Sequence, residues 1–463
     1  MDKPPEIYAP GAIVAFHGMI QDTSISPELY VAQHSNGECG GWGMHDADSE
    51  DFEYSDLKEC SVFWATSIPG QSPWALRNEQ DFVAHNSSVN QAHKYPIPNG
   101  PHLGLQLKVY DDALSKAFRT SDIFSFVGIL ASEPLSRSSD DSAHVVVPTL
   151  HLLYHKALPT TLIPRIYPMS SPEEVLRKEL IAWIATEALA RDETVAEWVL
   201  LSAISRVQSR HPPIHPMSLT ISKFPSPSGS TASTPTIYHV LSLLLPLVTL
   251  VPLSLEVLNT TLFRPESKEE DLHSGWLQHP KGALLLLTEN SMSEGSISNH
   301  GVPNLQAAQE LMKDQTLEYV FPFNNFKFDT DINFIVTTEG RKSTFFSTDV
   351  NIPLNRVHMP TADLYKAKDS ITLPPVEKLE RFRELLGCAK VGTTVINDPT
   401  AQHIENDFVK ERANTGQYTP DDLIKRMLVA KLVALSRHQS EVSVEVWDYA
   451  KKMEQDLKER LQL

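Results

Sequence analysis

The sequence predicts a multi-domain protein of the α/β and β classes, on three observations. Short apolar runs with turn residues between them fill residues 1–135, as in a β-rich domain. Strand-like and helix-like runs alternate over residues 171–360, which is typical of a mostly parallel sheet covered by helices. Amphipathic helical runs over residues 375–463 predict a small bundle packed on that α/β domain.

Length and composition limit the class of protein. At 463 residues the chain has room for about three domains of roughly 150 residues each. Its 40 Lys and Arg residues against 58 Asp and Glu residues leave a net charge of −18. Because nucleic-acid phosphates repel so acidic a chain, direct nucleic-acid binding is not expected. Cys39, Cys60 and Cys388 form no CxxC pair, so a reducing compartment is favoured over a disulfide framework or a zinc ribbon.

The amino-terminal domain is predicted to be a small barrel. Strand-like runs lie at residues 12–20, 29–32, 61–66, 103–110 and 123–130. Short strands with irregular connections suit an OB-like barrel. The acidic stretch 37–56 is predicted to be a long exposed loop. A polar run at 131–143 indicates a linker, and residues 136–170 are predicted to be a linker and connecting segment.

The central domain begins at a helix start signal. Ser171 is a candidate N-cap, Pro172 stands at the first helical position, and Glu174 stands at the capping-box position. The further predicted elements are a helix at 194–209, a strand at 218–222, a polar loop at 224–235 followed by a leucine-rich helix, and strand-like runs at 255–263, 283–288, 332–338 and 348–353.

One apolar segment, residues 236–258, resembles a membrane span. Pro246 and Pro252 interrupt it, whereas a spanning helix needs about 20 predominantly apolar residues. A buried helix followed by a core strand is therefore favoured. The acidic, proline-rich amino terminus lacks the apolar run of a signal peptide, so a soluble intracellular chain is expected.

The carboxyl-terminal helices are predicted from their caps and apolar faces. Thr419, Pro420 and Asp421 form a helix start, because a capping hydroxyl precedes proline and an acidic first turn. The apolar faces are marked by Ile424, Leu428, Leu432 and Leu435 in one helix and by Val446, Ala450, Met453 and Leu457 in the last.

The segment 218–245 is where an α/β NTPase places its phosphate-binding loop. Such a loop needs glycines, a lysine and a serine or threonine at the helix start. The loop FPSPSGSTASTP (224–235) has one glycine, three prolines and no lysine, which argues against ATP binding. Thr288 stands at the position where an NTPase has an aspartate that coordinates magnesium. The favoured interpretation is therefore a buried strand that ends in a solvated Glu289. For Glu339, Gly340 and Arg341, a turn is favoured over sensor-like polar groups.

Other candidate sites are weaker. Pro212 and Pro213 prevent His211 and His215 from sharing a helix face, so a metal-binding pair is not expected. The spaced acids are interpreted as solvated loop residues rather than catalytic pairs: Asp46 with Asp48, and Asp329 with Asp331. Since HExxH and GxSxG are also absent from the sequence, we predict no catalytic, cofactor-binding or metal-binding residue and no enzyme activity.

Fragments along nearly the whole chain resemble the mini-chromosome maintenance (MCM) complex-binding protein family of eukaryotes. They are GMIQD (18–22), PELY (27–30), IPGQSPW (68–74), LKVYD (107–111), DIFSFVGIL (122–130), EWVLLSAISRV (197–207), INFIVTTEGR (332–341), DFV (407–409), TPDDL (419–423) and Trp447. Each fragment is short, and their order and spread make the resemblance specific.

The resemblance implies both a fold and a function. The fold would be that of the helicase subunits the family binds, namely an OB-like part, a degenerate AAA+-like core and a helical lid. MCM helicase subunits would be the partners, with roles in assembling or protecting the complex and in removing it from chromatin late in replication. A nuclear location, an indirect association with chromatin and a link to sister-chromatid cohesion are also implied.

Two departures and two alternatives accompany this resemblance. Animal relatives have a longer acidic linker than residues 131–143, and no compact Lys/Arg cluster resembles a nuclear import signal. Import would then depend on a partner. The alternative functions are an active AAA+-type ATPase that remodels chromatin-bound complexes, against which the loop 224–235 argues, and a scaffold unrelated to replication.

Overall fold

A computed structural model describes residues 1, 5–33, 40–43, 53–76, 91–135, 145–171, 174–227, 234–290, 292, 295–355, 361–415 and 418–462. Within these residues it contains ten α-helices and several β-sheets, which confirms the predicted mixed α/β class.

The strands are β1 (Ile13–Asp22), β2 (Glu28–Val31), β3 (Leu57–Ser67), β4 (Gly104–Val109), β5 (Ile123–Pro134), β6 (Val146–Ala157), β7 (Ser209–Arg210), β8 (Pro213–Ile214), β9 (Leu219–Ser222), β10 (Val248–Pro252), β11 (Glu266–Lys268), β12 (Asp271–His273), β13 (Leu284–Thr288), β14 (Thr316–Val320), β15 (Asn325–Asp329), β16 (Asn333–Thr337), β17 (Val350–Pro353), β18 (Val395–Ile396) and β19 (Glu441–Val442). The helices are α1 (Asp112–Ala117), α2 (Glu174–Ala188), α3 (Glu193–Ile204), α4 (Thr236–Leu244), α5 (Leu255–Thr260), α6 (Gly301–Asp314), α7 (Val376–Val391), α8 (Asp398–Thr415), α9 (Pro420–Ser436) and α10 (Val444–Gln462).

Five amino-terminal strands form a closed ring. β1 pairs with β5 and β3, β3 pairs with β4, β4 pairs with β6, and β6 returns to β5. The β4–β6 pair is parallel and the others are antiparallel, while β2 extends the ring beside β3. Leu105, Phe126 and Leu150 are fully buried inside. At Gly128, a Cβ would lie 2.2 Å from the carbonyl oxygen of His151, so only glycine allows β5 and β6 this close approach.

One barrel strand lies where we predicted a linker and connecting segment, residues 136–170. Strand β6 (Val146–Ala157) occupies part of it, and residues 136–144 lie outside the described residues. The buried positions of β6 run continuously from 147 to 152 instead of alternating, so the usual strand pattern is missing. Most of the predicted acidic loop 37–56 also lies outside the described residues, and the predicted domain boundaries stay predictions.

The central sheet has five parallel strands in the order β10-β13-β16-β9-β17, which confirms the predicted parallel α/β sheet. Alternate side chains face opposite sides. Leu284 and Leu286 pack with α2, α3, α4 and the carboxyl-terminal helices, whereas Leu285 and Leu287 pack with α6 and the residues around β11–β15. Because both faces are covered, the central strand β13 is a nearly continuous apolar run in the sequence.

Two predicted elements are wrong in detail. Residues 255–263 contain helix α5 instead of a strand, because Ser254 caps the segment by accepting a hydrogen bond from the Val257 N–H at 3.1 Å. The helix predicted to reach residue 209 ends at Ile204. The chain then turns into the β7–β8 hairpin, where the Gln208 N–H donates to the Ile214 carbonyl at 2.9 Å.

The apolar segment 236–258 is divided into a helix and a strand, as favoured from the sequence. Helix α4 ends at Leu244 and strand β10 begins at Val248. Among the described residues, no helix combines the length and the apolar character needed to cross a membrane.

A second, four-stranded sheet, β12-β11-β14-β15, was not predicted. It contacts the barrel through buried side-chain amides. The Gln21 side chain donates to the Leu272 carbonyl at 3.2 Å, and the Gln278 side chain donates to the Gln21 carbonyl at 2.7 Å and to the Tyr319 hydroxyl at 3.1 Å. These buried hydrogen bonds fix the position of the barrel on this sheet.

The carboxyl-terminal helices pack on the α2–α3 side of the parallel sheet. Helix α9 starts at the predicted cap: the Thr419 hydroxyl accepts from the Asp422 N–H at 3.2 Å, and the Asp422 carboxylate accepts from the Thr419 N–H at 2.9 Å. Leu432 and Leu435 are buried as predicted, whereas Ile424 is 46% exposed.

The buried His279 predicts a pH dependence of stability. Burial lowers the pKa of His279 to about 4, against about 6.5 in the unfolded chain. Between these values the unfolded state binds the extra proton, so the free energy of unfolding falls as the pH falls. Lowering the pH from 7.5 to 5 should reduce the free energy of unfolding by about 2 kcal/mol through this one group. Urea unfolding should show a pH slope that is smaller in His279→Gln and unchanged in the exposed-site control His300→Gln; equal slopes in all three proteins would contradict the assignment.

Candidate functional site at the carboxyl edge of the parallel sheet

The segments that the sequence analysis compared with the nucleotide site of an NTPase lie where β9, β13 and β16 end. Ligands of parallel α/β sheets bind outside the carboxyl ends of the strands, so this edge is the place to examine. An open cleft of about 540 Å³ lies beside the ends of β13 and β16, and its walls include Glu289, Thr338, Glu339, Thr344 and Phe345; no described residue of the loop after β9 lines it.

The described start of the loop after β9 is held by side chains of the protein. Residues 228–233 of the loop lie outside the described residues. The carbonyl of Pro225 accepts hydrogen bonds from the Asn290 side chain at 3.1 Å and from the Tyr365 hydroxyl at 2.8 Å. Phe224 is fully buried, and its ring meets that of Tyr365 edge to face at 5.9 Å. Burial raises the pKa of Tyr365 to about 12, so the phenol keeps the proton that it donates.

The first turn of α4 is contacted by the chain segment that follows β17. The Lys366 N–H donates to the hydroxyl of the fully buried Thr236 at 2.7 Å, and the Lys366 ammonium lies 3.5 Å from the carboxylate of Glu187 on α2. In an NTPase the start of this helix would face phosphate groups. Here the first residue of α4 contacts the protein's own backbone.

Glu289 is buried, which corrects the predicted solvated glutamate. Its side chain accepts hydrogen bonds from the Ser343 hydroxyl and from the Thr344 N–H, the latter at 3.0 Å. It is only 7% exposed, because the segment after β16 folds back over the end of β13. The predicted buried strand is confirmed. With two donors already bound, this carboxylate holds the loop 343–344 in place.

Residues 339–341 form bends, in agreement with the predicted turn. The Glu339 carboxylate accepts from the Ser226 hydroxyl at 2.8 Å, and the Gly340 carbonyl accepts from the Lys223 N–H at 2.9 Å. The Arg341 carbonyl accepts from the Asn351 side chain at 2.9 Å. Among the described residues that line the cleft none is basic, so Glu289 and Glu339 make it unfavourable for a phosphate anion.

The other sequence candidates do not come together as catalytic pairs. Asp329 is exposed and pairs with Arg210 at 3.2 Å. Asp331 corrects a prediction, because it is not a solvated loop acid: its side chain accepts from the Val207 N–H at 3.0 Å, and burial raises its pKa. His215 binds the Lys313 carbonyl at 2.6 Å, while His211 lies in the turn between β7 and β8. Asp46 and Asp48 lie outside the described residues.

The described cysteines are not activated thiols. Cys60 and Cys388 are both buried. Burial raises the pKa of Cys60 to about 12 and also raises the pKa of Cys388. Because only the thiolate is a good nucleophile or metal ligand, these two side chains behave as small apolar residues. Cys39 lies outside the described residues.

An exposed aromatic surface was missed by the sequence analysis. We call residues 321–326 the hairpin tip. They comprise the connection between β14 and β15 and the first two residues of β15. Phe323 is 95% exposed and Phe326 is 51% exposed, and the rings of Phe321 and Phe326 meet at 5.8 Å. The signal in the sequence is the run FPFNNFKF (321–328), which places four aromatic residues within eight positions.

Comparison with known proteins gives consistent matches. The sequence model of the family described as mini-chromosome maintenance replisome factor matches residues 76–461. The mini-chromosome maintenance complex-binding protein of Salmo salar is 24% identical, over 97% of this chain and 88% of that protein. The protein of the same name from Gallus gallus is 27% identical, over 100% of this chain and 90% of its own length. The protein of the same name from Arabidopsis thaliana is 27% identical, over 79% of this chain and 64% of its own length.

Proposed function

Since this chain belongs to the mini-chromosome maintenance replisome factor family, we propose that it is a non-catalytic binding partner and chaperone of the MCM helicase. Relatives that match it over most of its length are named for binding the MCM complex. The observation that carries the non-catalytic part is the carboxyl edge of the parallel sheet. There the Asn290 side chain and the Tyr365 hydroxyl donate to a loop carbonyl, and the Lys366 N–H donates to the first residue of α4. In an NTPase the corresponding loop and helix start would bind nucleotide.

We also propose that the chain imitates the shape of a helicase subunit. The closed five-stranded ring with one parallel pair, β4–β6, supports an OB-like amino-terminal domain. When the five strands of the parallel sheet are numbered by their order in the chain, their order in the sheet is 2-3-4-1-5. Strand β9, which precedes the loop 224–235, therefore lies between the fourth strand, β16, and the fifth, β17. That arrangement supports a degenerate AAA+-like core, and the helices α7–α10 would be its lid. A subunit-like shape can occupy a neighbour's interface without contributing an ATPase site.

The hairpin tip is proposed as the part that enters an apolar pocket of an MCM subunit. Phe323 is almost fully accessible, so its burial against a partner would remove most of the ring from water, which is worth about 1.5–3 kcal/mol. Flanking charges are already paired within the chain: Lys327 with Glu310 at 3.3 Å, and Arg264 with Glu318. The tip can therefore bind without leaving an unpaired charge buried.

Co-purification tests the binding function. The full-length chain is mixed with recombinant MCM subunits, singly and in combination, at physiological salt, and complexes are resolved by size exclusion with crosslinking mass spectrometry. We expect a stable complex with at least one subunit, and crosslinks from residues near the hairpin tip. Absence of association with every subunit would refute the proposed function.

The biological roles are proposed on the same basis. Binding would regulate the assembly, stability or unloading of the MCM complex in the nucleus, with indirect association with chromatin and support of sister-chromatid cohesion. Adding the chain to MCM complexes loaded on DNA should change the amount retained on the DNA. A tagged chain should be nuclear, and its depletion should weaken cohesion; unchanged retention and a cytoplasmic signal would contradict these roles.

The alternative, an active AAA+-type ATPase, makes the opposite prediction for nucleotide. Because the cleft walls supply carboxylates and no described basic side chain, we expect titration calorimetry with MgATP to show no saturable binding up to millimolar concentration. Adenosine with magnesium serves as the control for binding of the base alone. Saturable micromolar MgATP binding, or ATP hydrolysis by the purified chain, would favour the ATPase instead.

A further inference from the structure

We propose that His93, Asp271 and His273 form a binding site for a divalent transition-metal ion, best matched by Zn²⁺, at the junction of the barrel and the four-stranded sheet. One ligand atom from each residue lies within 4.8 Å of the others. His93 and Asp271 are 178 positions apart in the sequence and meet only in the fold, which is why the sequence analysis predicted no metal ligand.

The geometry suits zinc with nitrogen and oxygen ligands. Zinc lies about 2.0–2.2 Å from imidazole nitrogen and carboxylate oxygen, so tetrahedral ligand atoms are separated by about 3.4 Å. His93 Nε2 lies 2.8 Å from Asp271 Oδ2, and the rings of His93 and His273 are 4.4 Å apart at an angle of 37°. A bound ion would replace the hydrogen bond between His93 and Asp271, because their ligand atoms would have to move from 2.8 Å to about 3.4 Å apart, and a fourth position would remain for water.

The surroundings hold Asp271 in the form and orientation that a ligand needs. Its second oxygen, Oδ1, accepts from the Lys94 ammonium, which also binds Asp22 Oδ2 at 3.0 Å. Lys94 and Asp22 are each 1% exposed, so this pair cannot rearrange freely. Carboxylates that ligate a metal are usually themselves hydrogen-bonded, as Asp271 is by Lys94. The two carboxylates and one ammonium leave one net negative charge for a divalent cation to balance.

The backbone already places the ligands on two separate elements. His93 belongs to the short helical turn Ala92–Lys94. Asp271 and His273 are two positions apart in strand β12 and therefore lie on the same side of it. The Ser274 N–H donates to the His93 carbonyl at 2.7 Å and fixes the distance between the two elements. A bound ion would join the turn to the sheet, so metal binding should stabilise the contact between the barrel and the central part.

Calorimetry with ZnCl₂ on the chelator-treated full-length chain tests this site and needs no MCM subunit. We expect one saturable site of micromolar or tighter affinity and a higher melting temperature with zinc. His273→Ala keeps the His93–Asp271 pair and should weaken binding at least tenfold, and Asp271→Asn, which keeps the shape of the side chain, should do the same. The matched control His300→Ala, at an exposed histidine outside the cluster, should bind zinc as the unmodified chain does.

Cobalt gives an independent measurement. Co²⁺ added in place of zinc should produce the visible absorption of a four-coordinate site, and this absorption should be lost in His273→Ala while near-ultraviolet circular dichroism shows that the variant is folded. Equal zinc affinity in the unmodified chain and in both site variants would overturn the proposal. So would the absence of saturable zinc binding to the unmodified chain.

Discussion

A double variant of the hairpin tip, Phe323→Ser with Phe326→Thr, should lose at least about 100-fold in affinity for MCM subunits. Aromatic anchors at interface centres cost about 2 kcal/mol or more each when truncated, and about 1.4 kcal/mol corresponds to a factor of ten. Serine suits the turn and threonine suits strand β15, so the hairpin itself should persist. Affinity is measured by titrating a labelled MCM subunit with the full-length chain.

The stability of the chain provides the first control for this variant. Phe323 is 95% exposed, whereas Phe326 is 51% exposed and contacts Phe321, so the double replacement should lower the free energy of unfolding by about 1 kcal/mol and leave the chain folded. Tyr54, which is 92% exposed on a different part of the chain, gives a matched aromatic control, and Tyr54→Ser should bind normally. If the double variant binds MCM subunits within threefold of the unmodified chain, the hairpin tip is not the anchor.

The parallel sheet was predictable because its strands carry their own signal. Strand β13 is buried on both faces, and its run of leucines is continuous. The four-stranded sheet gave no such signal: β11 and β12 have three residues each and contain Lys268 and Asp271. Short strands with charged residues become recognisable only when their partners are known. Helix α5 was missed although its cap, Ser254, is visible in the sequence, because the apolar run after it also fits a strand.

The sequence placed the loop 224–235 after a predicted strand and predicted no site residue there, and its interpretation of Glu289 as a solvated residue was wrong. The position of the loop at the carboxyl edge follows from the order of strands and loops, which a sequence displays. The burial of Glu289 depends on Ser343, 54 positions away, and the contact between Pro225 and Tyr365 spans 140 positions. Contacts over such separations are set by the packing of whole elements. The composition of the loop 224–235 can therefore be read from the sequence, whereas the side chains that contact it cannot.

Replacing Arg177 by methionine should lower the free energy of unfolding by about 3–5 kcal/mol, because a buried carboxylate would lose its cationic partner. Arg177 on α2 donates to Glu197 on α3 and to the Ser436 hydroxyl on α9, the latter at 2.8 Å, and the Tyr449 hydroxyl on α10 donates to Glu197 at 2.9 Å. Four helices from the central and carboxyl-terminal parts thus meet at one ion pair. Urea unfolding followed by circular dichroism measures the loss.

A double-mutant cycle separates the ion pair from simple loss of packing. The double variant Arg177→Met/Glu197→Leu lacks both charges, so its free energy of unfolding should be about 2 kcal/mol higher than that of Arg177→Met alone. If the two replacements acted independently, their losses would add and the double variant would be the least stable. The neighbouring exposed pair of Lys178 and Glu174, 3.2 Å apart, is the matched control, and Lys178→Met should cost about 0.5 kcal/mol or less. Full additivity in the cycle would contradict the coupling. Because the hairpin tip lies on the other side of the parallel sheet, Arg177→Met should retain MCM binding while it is folded, which distinguishes loss of the scaffold from loss of the contact surface.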